Sequence, residues 1–368
     1  MKRLLQTILA YLCCFCSLLT AAVCFPKAPQ TDTVRFAQSL GAGWNLGNTL
    51  EAWKLPKPAD TETCWGNPKT TKALFALVRD AGFQTVRIPV TWFQHMDESG
   101  TIEKAWLDRV QTVVNDVLDC GMYAVVNIQH DDQDWLIPDE AHEAQTTATL
   151  TRVWTQIAQR FKDYDDRLVF DLMNEPRVVN TPDEWTGNAE VRGVINRLNE
   201  AALAAIRATG GNNESRYVMI TTHSAKEDED NIAALRVPND PHVLVSLHYY
   251  YGTAHQSEFA DCENEWKLRD KWEIYKAVWR IYRTFLRKGV GVCFSEFGWT
   301  DRDHLDNLTA QTKTFVKIAN GFGIPCFVWD NGSHFRLIDR DTLTVAYPAY
   351  TAAAARQFAK PTVEEYMK

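Results

Sequence analysis

Eight short apolar runs, almost all separated by a segment of helical periodicity, constrain this chain more than any single residue does. The runs are 40–47 (rich in Gly), 84–90, 122–128, 168–173, 216–222, 242–250, 290–297 and 324–329. Their length and their β-branched and aromatic content mark them as buried strands. Apolar residues at helical spacing fill 70–81, 105–119, 146–161, 189–208, 271–288, 305–320 and 348–358. Gly82, Gly121, Gly210, Gly211, Gly289 and Gly321 stand where those helices should stop. Strands alternating with helices make a parallel sheet with right-handed crossovers. Eight such units over roughly 330 residues predict an α/β fold, a single-domain (β/α)8 TIM barrel with loop insertions. The competing arrangement is an open doubly wound sheet. No Gly-x-Gly-x-x-Gly follows the first run and no phosphate loop is present, which counts against its nucleotide-binding forms.

The ends and the charge narrow the rest. Residues 1–24 begin Met1-Lys2-Arg3 and continue apolar and uncharged through Val23, with small residues at Thr20-Ala21-Ala22. This pattern predicts a signal peptide and a secreted protein, extracellular or periplasmic; the alternative is a retained anchor. Residues 25–368 are expected to form one catalytic domain, because no linker or repeat divides them, and a monomer is expected. A net charge of −8 without a basic stripe argues against nucleic acid, and no membrane contact is expected beyond the leader. Of the nine Cys, five lie outside the leader: Cys64, Cys120, Cys262, Cys293 and Cys326. Cys293 and Cys326 read as buried thiols in strands, and Cys64 and Cys262 as loop residues that could pair. The odd count and wide spacing oppose a disulfide scaffold or a zinc site.

In a barrel the carboxyl ends of the strands form one rim, where chemistry resides. The fourth run closes Phe170-Asp171-Leu172-Met173-Asn174-Glu175-Pro176-Arg177, and Pro176 ends the strand. Asn174 and Glu175 could simply cap a helix. The same rim, however, collects Asn45, Arg87, Gln129, His130, His223, His248, Tyr250, Glu296 and Trp329. Strands four and seven face each other, so Glu175 and Glu296 can flank one ligand. Two carboxylates among aromatic faces suggest glycoside hydrolysis, in which one acid protonates the leaving oxygen. Thirteen Trp supply faces for sugars as well as core; Trp53, Trp65, Trp135 and Trp266 are candidate cleft residues. His130 with Asp131, Asp132 and Asp134 offers only one His, so neither a metal nor another cofactor is expected. No Gly-x-Ser-x-Gly elbow supports a serine hydrolase.

At the level of motifs the chain resembles glycoside hydrolase family five, the former cellulase family A, and its endoglucanase and xyloglucanase branch. The carrying stretches are GWNLGNTLEAW (43–53), ETCWGNPKTT (62–71), VRIPVTW (86–92), FDLMNEPR (170–177), GGNNESRY (210–217), VSLHYY (245–250), FSEFGW (294–299) and WDNG (329–332). The resemblance implies a retaining endo-β-1,4-glucanase (cellulase) acting on β-glucan polysaccharide. It assigns Glu175 as general acid/base and Glu296 as nucleophile. Asn174 would hold the sugar 2-hydroxyl, and Arg87 would keep Glu296 ionised. His248, Tyr250 and Trp329 would line the cleaved-sugar subsite, with Asn45, Gln129 and His130 as further substrate contacts. A retaining mechanism requires carboxyl groups about 5–5.5 Å apart. Glu175 is expected to be protonated at rest, its pKa raised by burial and by Glu296. Two departures stand out: Gln129 occupies the place of a usual His, and Tyr251-Gly252-Thr253-Ala254 lacks a usual Pro. Xyloglucan, mixed-linkage glucan or mannan are the alternative substrates. A non-catalytic β-glucan-binding protein is the alternative of another class.

Overall fold

The computed structural model of the protein describes residues 26–250, 268–300 and 303–356. The leader, Cys262, Trp266 and the Tyr251–Ala254 stretch lie outside the described residues. Eight parallel strands close into a barrel in sequence order: β1 (Gly43–Leu46), β2 (Thr85–Ile88), β3 (Tyr123–Asn127), β4 (Leu168–Asp171), β5 (Val218–Thr221), β6 (Val243–Tyr249), β7 (Val292–Phe297) and β8 (Cys326–Asp330). Each falls inside a run marked by the sequence except β8, which extends one residue past its run to Asp330. Their residues are almost all buried, because in a parallel barrel one face meets the interior and the other meets helices. These elements belong to one compact unit, Ala28–Phe358.

The helices follow the apolar spacing. α1 is Asp32–Ser39, α2 Lys72–Asp80, α3 Lys104–Asp119, α4 Glu143–Phe161, α5 Ala189–Ala208, α6 Glu229–Ala234, α7 Leu268–Thr284, α8 Leu305–Gly321 and α9 Pro348–Ala354. In α4 the inward stripe is Leu150, Val153, Trp154, Ile157, Ala158 and Phe161, all fully buried. The end of α8 corrects one expected stop. Gly321 is the last helical residue, and the left-handed turn falls on Gly323 at φ +84°.

Two helices were not marked by the sequence. α1 starts at Thr31, whose hydroxyl accepts the Val34 amide, and it packs Phe36, Ala37 and Leu40 against Val125, Val169, Met219, Leu244, Cys293 and Phe327. Those partners come from six strands, so α1 closes the amino end of the barrel. α6 is only six residues long, half of them polar, and too short to show a period. Cys293 and Cys326 are buried thiols as expected.

One irregularity positions the opposite end. β6 pairs Leu247 with Phe294 but His248 with Glu296, a register shift at Leu247/His248. A bulge re-aims side chains beside it. Here it sets His248 alongside Glu296 instead of Ser295.

Candidate active site

Most of the predicted rim residues converge on two carboxyl groups. Asn174 and Glu175 follow β4, where the Asn174 amide donates to the Ile128 carbonyl at 2.9 Å and so ties the strand end to its neighbour. Glu296 lies in β7, and His248 and Tyr250 lie in and just after β6. One oxygen of Glu175, one of Glu296 and a ring nitrogen of His248 all lie within 4.8 Å of one another.

The two carboxyls have different surroundings. Glu296 accepts from Arg87 Nη1 at 2.5 Å, from the Tyr250 hydroxyl at 2.7 Å and from Gln129 Nε2 at 3.4 Å. Burial and the Glu296 charge push the Tyr250 phenol well above its ordinary pKa, so it stays a donor. Burial opposes the Arg87 charge, but Asp171 and Glu296 outweigh it and the guanidinium is pushed up. Glu175 instead accepts from His248 Nδ1 at 2.7 Å, with Arg177 Nη1 3.8 Å away. Burial pushes its carboxyl up, but the His248 hydrogen bond and charge, with Arg177 and His130, overcome this and hold it at about 2. This corrects the expectation of a protonated Glu175 at rest. The neighbour that dominates is the cationic side of the cleft, not the Glu296 carboxylate.

A stability consequence follows. A carboxyl held at about 2 in the fold, against about 4.3 unfolded, adds stability that is complete above the unfolded value. That stability is lost as the pH falls through the folded value. His248→Ala should therefore flatten the decline of melting temperature between pH 4.5 and 2.5. Equal declines in the two proteins would show that His248 does not hold the carboxyl down.

Neither Arg87, expected beside Glu296, nor Asn45, expected as a substrate contact, has exposed surface. Arg87 spends its nitrogens on Asp171 (Nε, 2.9 Å), Glu296 and Asn45 (Nη1) and Asn174 Oδ1 (Nη2, 3.0 Å). Asn45 Nδ2 donates to the Ser295 carbonyl at 2.9 Å and the Val328 carbonyl at 3.2 Å. They are struts behind the site. Arg87 also fixes the Asn174 amide by donating to its Oδ1. Gln129 is fixed in the same way, because Asn127 Nδ2 donates to its Oε1 and leaves Nε2 for Glu296.

His130 and Trp329 stay at the rim, each half-buried. The His130 ring lies 5.7 Å from that of Trp65, which is itself 36% exposed. Burial first, and Arg177 second, push the His130 imidazole down to about 4. Trp329 lies against Gly47, where an added Cβ would stand 2.8 Å from the indole and 2.8 Å from the Asp330 carbonyl. Only glycine lets the ring lie there. His223 is buried in the turn His223–Ala225, and burial pushes its imidazole down to about 4. Asp131 accepts the Trp92 and Phe93 amides and Trp135 Nε1, and Asp132 pairs with Arg177 at 2.8 Å. Both anchor loops.

Two residues with site contacts were missed by the sequence reading. Asp171 was visible only as the single charge in an apolar strand. Arg177 bridges Asp132, Glu184 and the Glu175 carbonyl, and its guanidinium lies 4.6 Å from the Trp185 ring.

An inverting hydrolase needs carboxyls roughly 6.5–9.5 Å apart to admit a water, whereas a covalent glycosyl-enzyme needs them close. In this rim ligand oxygens of Glu175 and Glu296 lie within 4.8 Å of each other, which fits the closer of the two glycosidase geometries. Comparison with known proteins narrows the class. The Cellulase (glycosyl hydrolase family 5) profile matches residues 51–335, and the chain belongs to that family. It is 41% identical to Cellulase/esterase CelE of Acetivibrio thermocellus over 88% of this chain and 40% of that one, so it spans well under half of that relative. The structure matches a GH5-4 broad specificity endoglucanase from Clostridium longisporum with TM-score 0.84 and 37% identity, covering 88% of this chain and 97% of that one. It also matches XEG5A, a xyloglucan-specific endo-β-1,4-glucanase from a metagenomic library in complex with cellotriose. There the TM-score is 0.83 and the identity 34%, over 88% of this chain and 98% of that one.

Proposed function

We propose that the protein is a secreted endo-β-1,4-glucanase that cleaves internal β-1,4-glucosidic bonds by double displacement. Glu296 attacks the anomeric carbon while Glu175 protonates the leaving oxygen; water then hydrolyses the glycosyl-enzyme with Glu175 as base. The observation that carries this is the pair of carboxyls within 4.8 Å in opposite surroundings. Glu296 accepts hydrogen bonds from Arg87, Tyr250 and Gln129, which aim it. Glu175, low at rest, suits the base half of the cycle. To act as acid it must take up a proton. A sugar over the cleft removes water from the fifth of its side chain still open and strengthens the burial that raises its pKa.

Asn174 Nδ2 offers a hydrogen bond to the sugar 2-hydroxyl, Trp329 a stacking face, and His130 a polar edge beside Trp65. Xyloglucan is the second reading, supported by the likeness to XEG5A. Release of reducing ends from carboxymethylcellulose, xyloglucan, mixed-linkage glucan and mannan tests the proposal. The expected result is release from carboxymethylcellulose. Activity on xyloglucan alone would move the substrate assignment, and binding without release on any of them would leave a glucan-binding protein.

A further inference from the structure

Asp171 is a buried carboxyl group for which the double displacement has no direct use, and it sits against the machinery. It ends β4, four residues before Glu175, with no exposed surface. Its Oδ2 accepts from Arg87 Nε at 2.9 Å. That bond uses one edge of a planar guanidinium whose nitrogens form a rigid fork. The other two nitrogens then aim at Glu296 (2.5 Å) and at Asn174 Oδ1 (3.0 Å). Two functional alignments therefore depend on one plane, and Asp171 sets its angle.

The same contact acts on charge. Arg87 is clasped between two carboxylates, both in ion-pair range, and none of its surface reaches water. With little solvent to screen them, the Asp171 and Glu296 charges compete for one cation. A nucleophile paired with an undivided cation would ionise more readily, but it would also be less basic and attack more slowly.

We propose that Asp171 is a positioning residue for the reaction: it orients Arg87 and divides its charge, so that Glu296 is held in place without being over-stabilised. This rests on the reading of Glu296 as nucleophile. The other titratable or charged groups facing the Asp171 and Glu296 carboxyls are Arg87 from β2, His130 after β3, Glu175 after β4, His248 from β6, Tyr250 just after it and Cys293 from β7.

The test follows hydrolysis of an aryl β-cellobioside with a good leaving group, whose first step needs no protonation, across pH. The wild type and Glu296→Ala are run first. Turnover by the wild type and none by Glu296→Ala upholds the underlying reading; any other result overturns that reading and, with it, this proposal. Asp171→Asn keeps the shape and the acceptor but removes the charge. Its acid limb of kcat/KM should move down by about one pH unit, and kcat should fall about tenfold or more, with KM little changed and the melting transition still cooperative. Asp171→Glu keeps the charge on a longer arm. Its acid limb should stay in place while kcat falls, because the guanidinium is displaced. An Asp171→Asn protein with an unmoved acid limb would overturn the proposal. If that variant does not fold, an Asp171→Glu protein whose activity falls only with its folded fraction would overturn it equally.

Discussion

Glu296→Ala is expected to lose hydrolysis of every substrate, activated or not, by a factor on the order of 10⁴ or more. Without that carboxylate no covalent glycosyl-enzyme forms, and a better leaving group does not help. The substitution would remove one partner of Arg87, which now pairs with Glu296 at 2.5 Å inside the protein. Its second carboxylate, Asp171, keeps it paired, so the fold should survive and melting should stay cooperative. An added small anion such as azide or formate can take the place of the lost carboxylate. It should restore turnover of an activated glycoside and give a product of inverted anomeric configuration. Substantial turnover by Glu296→Ala without an added anion would remove Glu296 from the role of nucleophile.

Glu175→Ala should separate the two halves of the reaction. On carboxymethylcellulose the loss should be about 10²–10⁴-fold, the usual contribution of a positioned general acid. On aryl glycosides with good leaving groups the first step should survive, because a phenolate leaves unprotonated. The second step then lacks its base, so the glycosyl-enzyme should accumulate and show as a burst of phenolate followed by slow turnover. The His248 ring, now bonded to Glu175 at 2.7 Å, would lose that partner but stay beside Glu296, 3.6 Å from its Oε2. Equal losses on activated and unactivated substrates would show that the roles of Glu175 and Glu296 are assigned the wrong way.

The parts that the sequence made legible share a cause. The strands and long helices are visible because burial imposes periodicity, as in α4, where every buried residue but Thr146 is apolar. Glu175 and Glu296 are visible because polar residues at the ends of buried strands break that periodicity. What stayed hidden was either too short or depended on partners distant in the chain. α6 has six residues and α1 has eight. Arg87 and Asn45 look the same in sequence whether they face a sugar or the barrel interior, and only their complete burial decides. Asp171 was visible as a charge in an apolar run, but its partner is Arg87, 84 residues earlier.

The sequence by itself determined the barrel, its order and the two carboxylates, because these follow from patterns within each segment. Tertiary structure alone decided how those carboxylates differ. The register shift between β6 and β7 sets His248 beside Glu296 and lets it bond Glu175. That contact reverses the expected charge state: a carboxyl that desolvation pushes up is held at about 2. Electrostatic energy inside a protein depends on separations of a few ångströms between groups far apart in sequence. No local pattern carries that information.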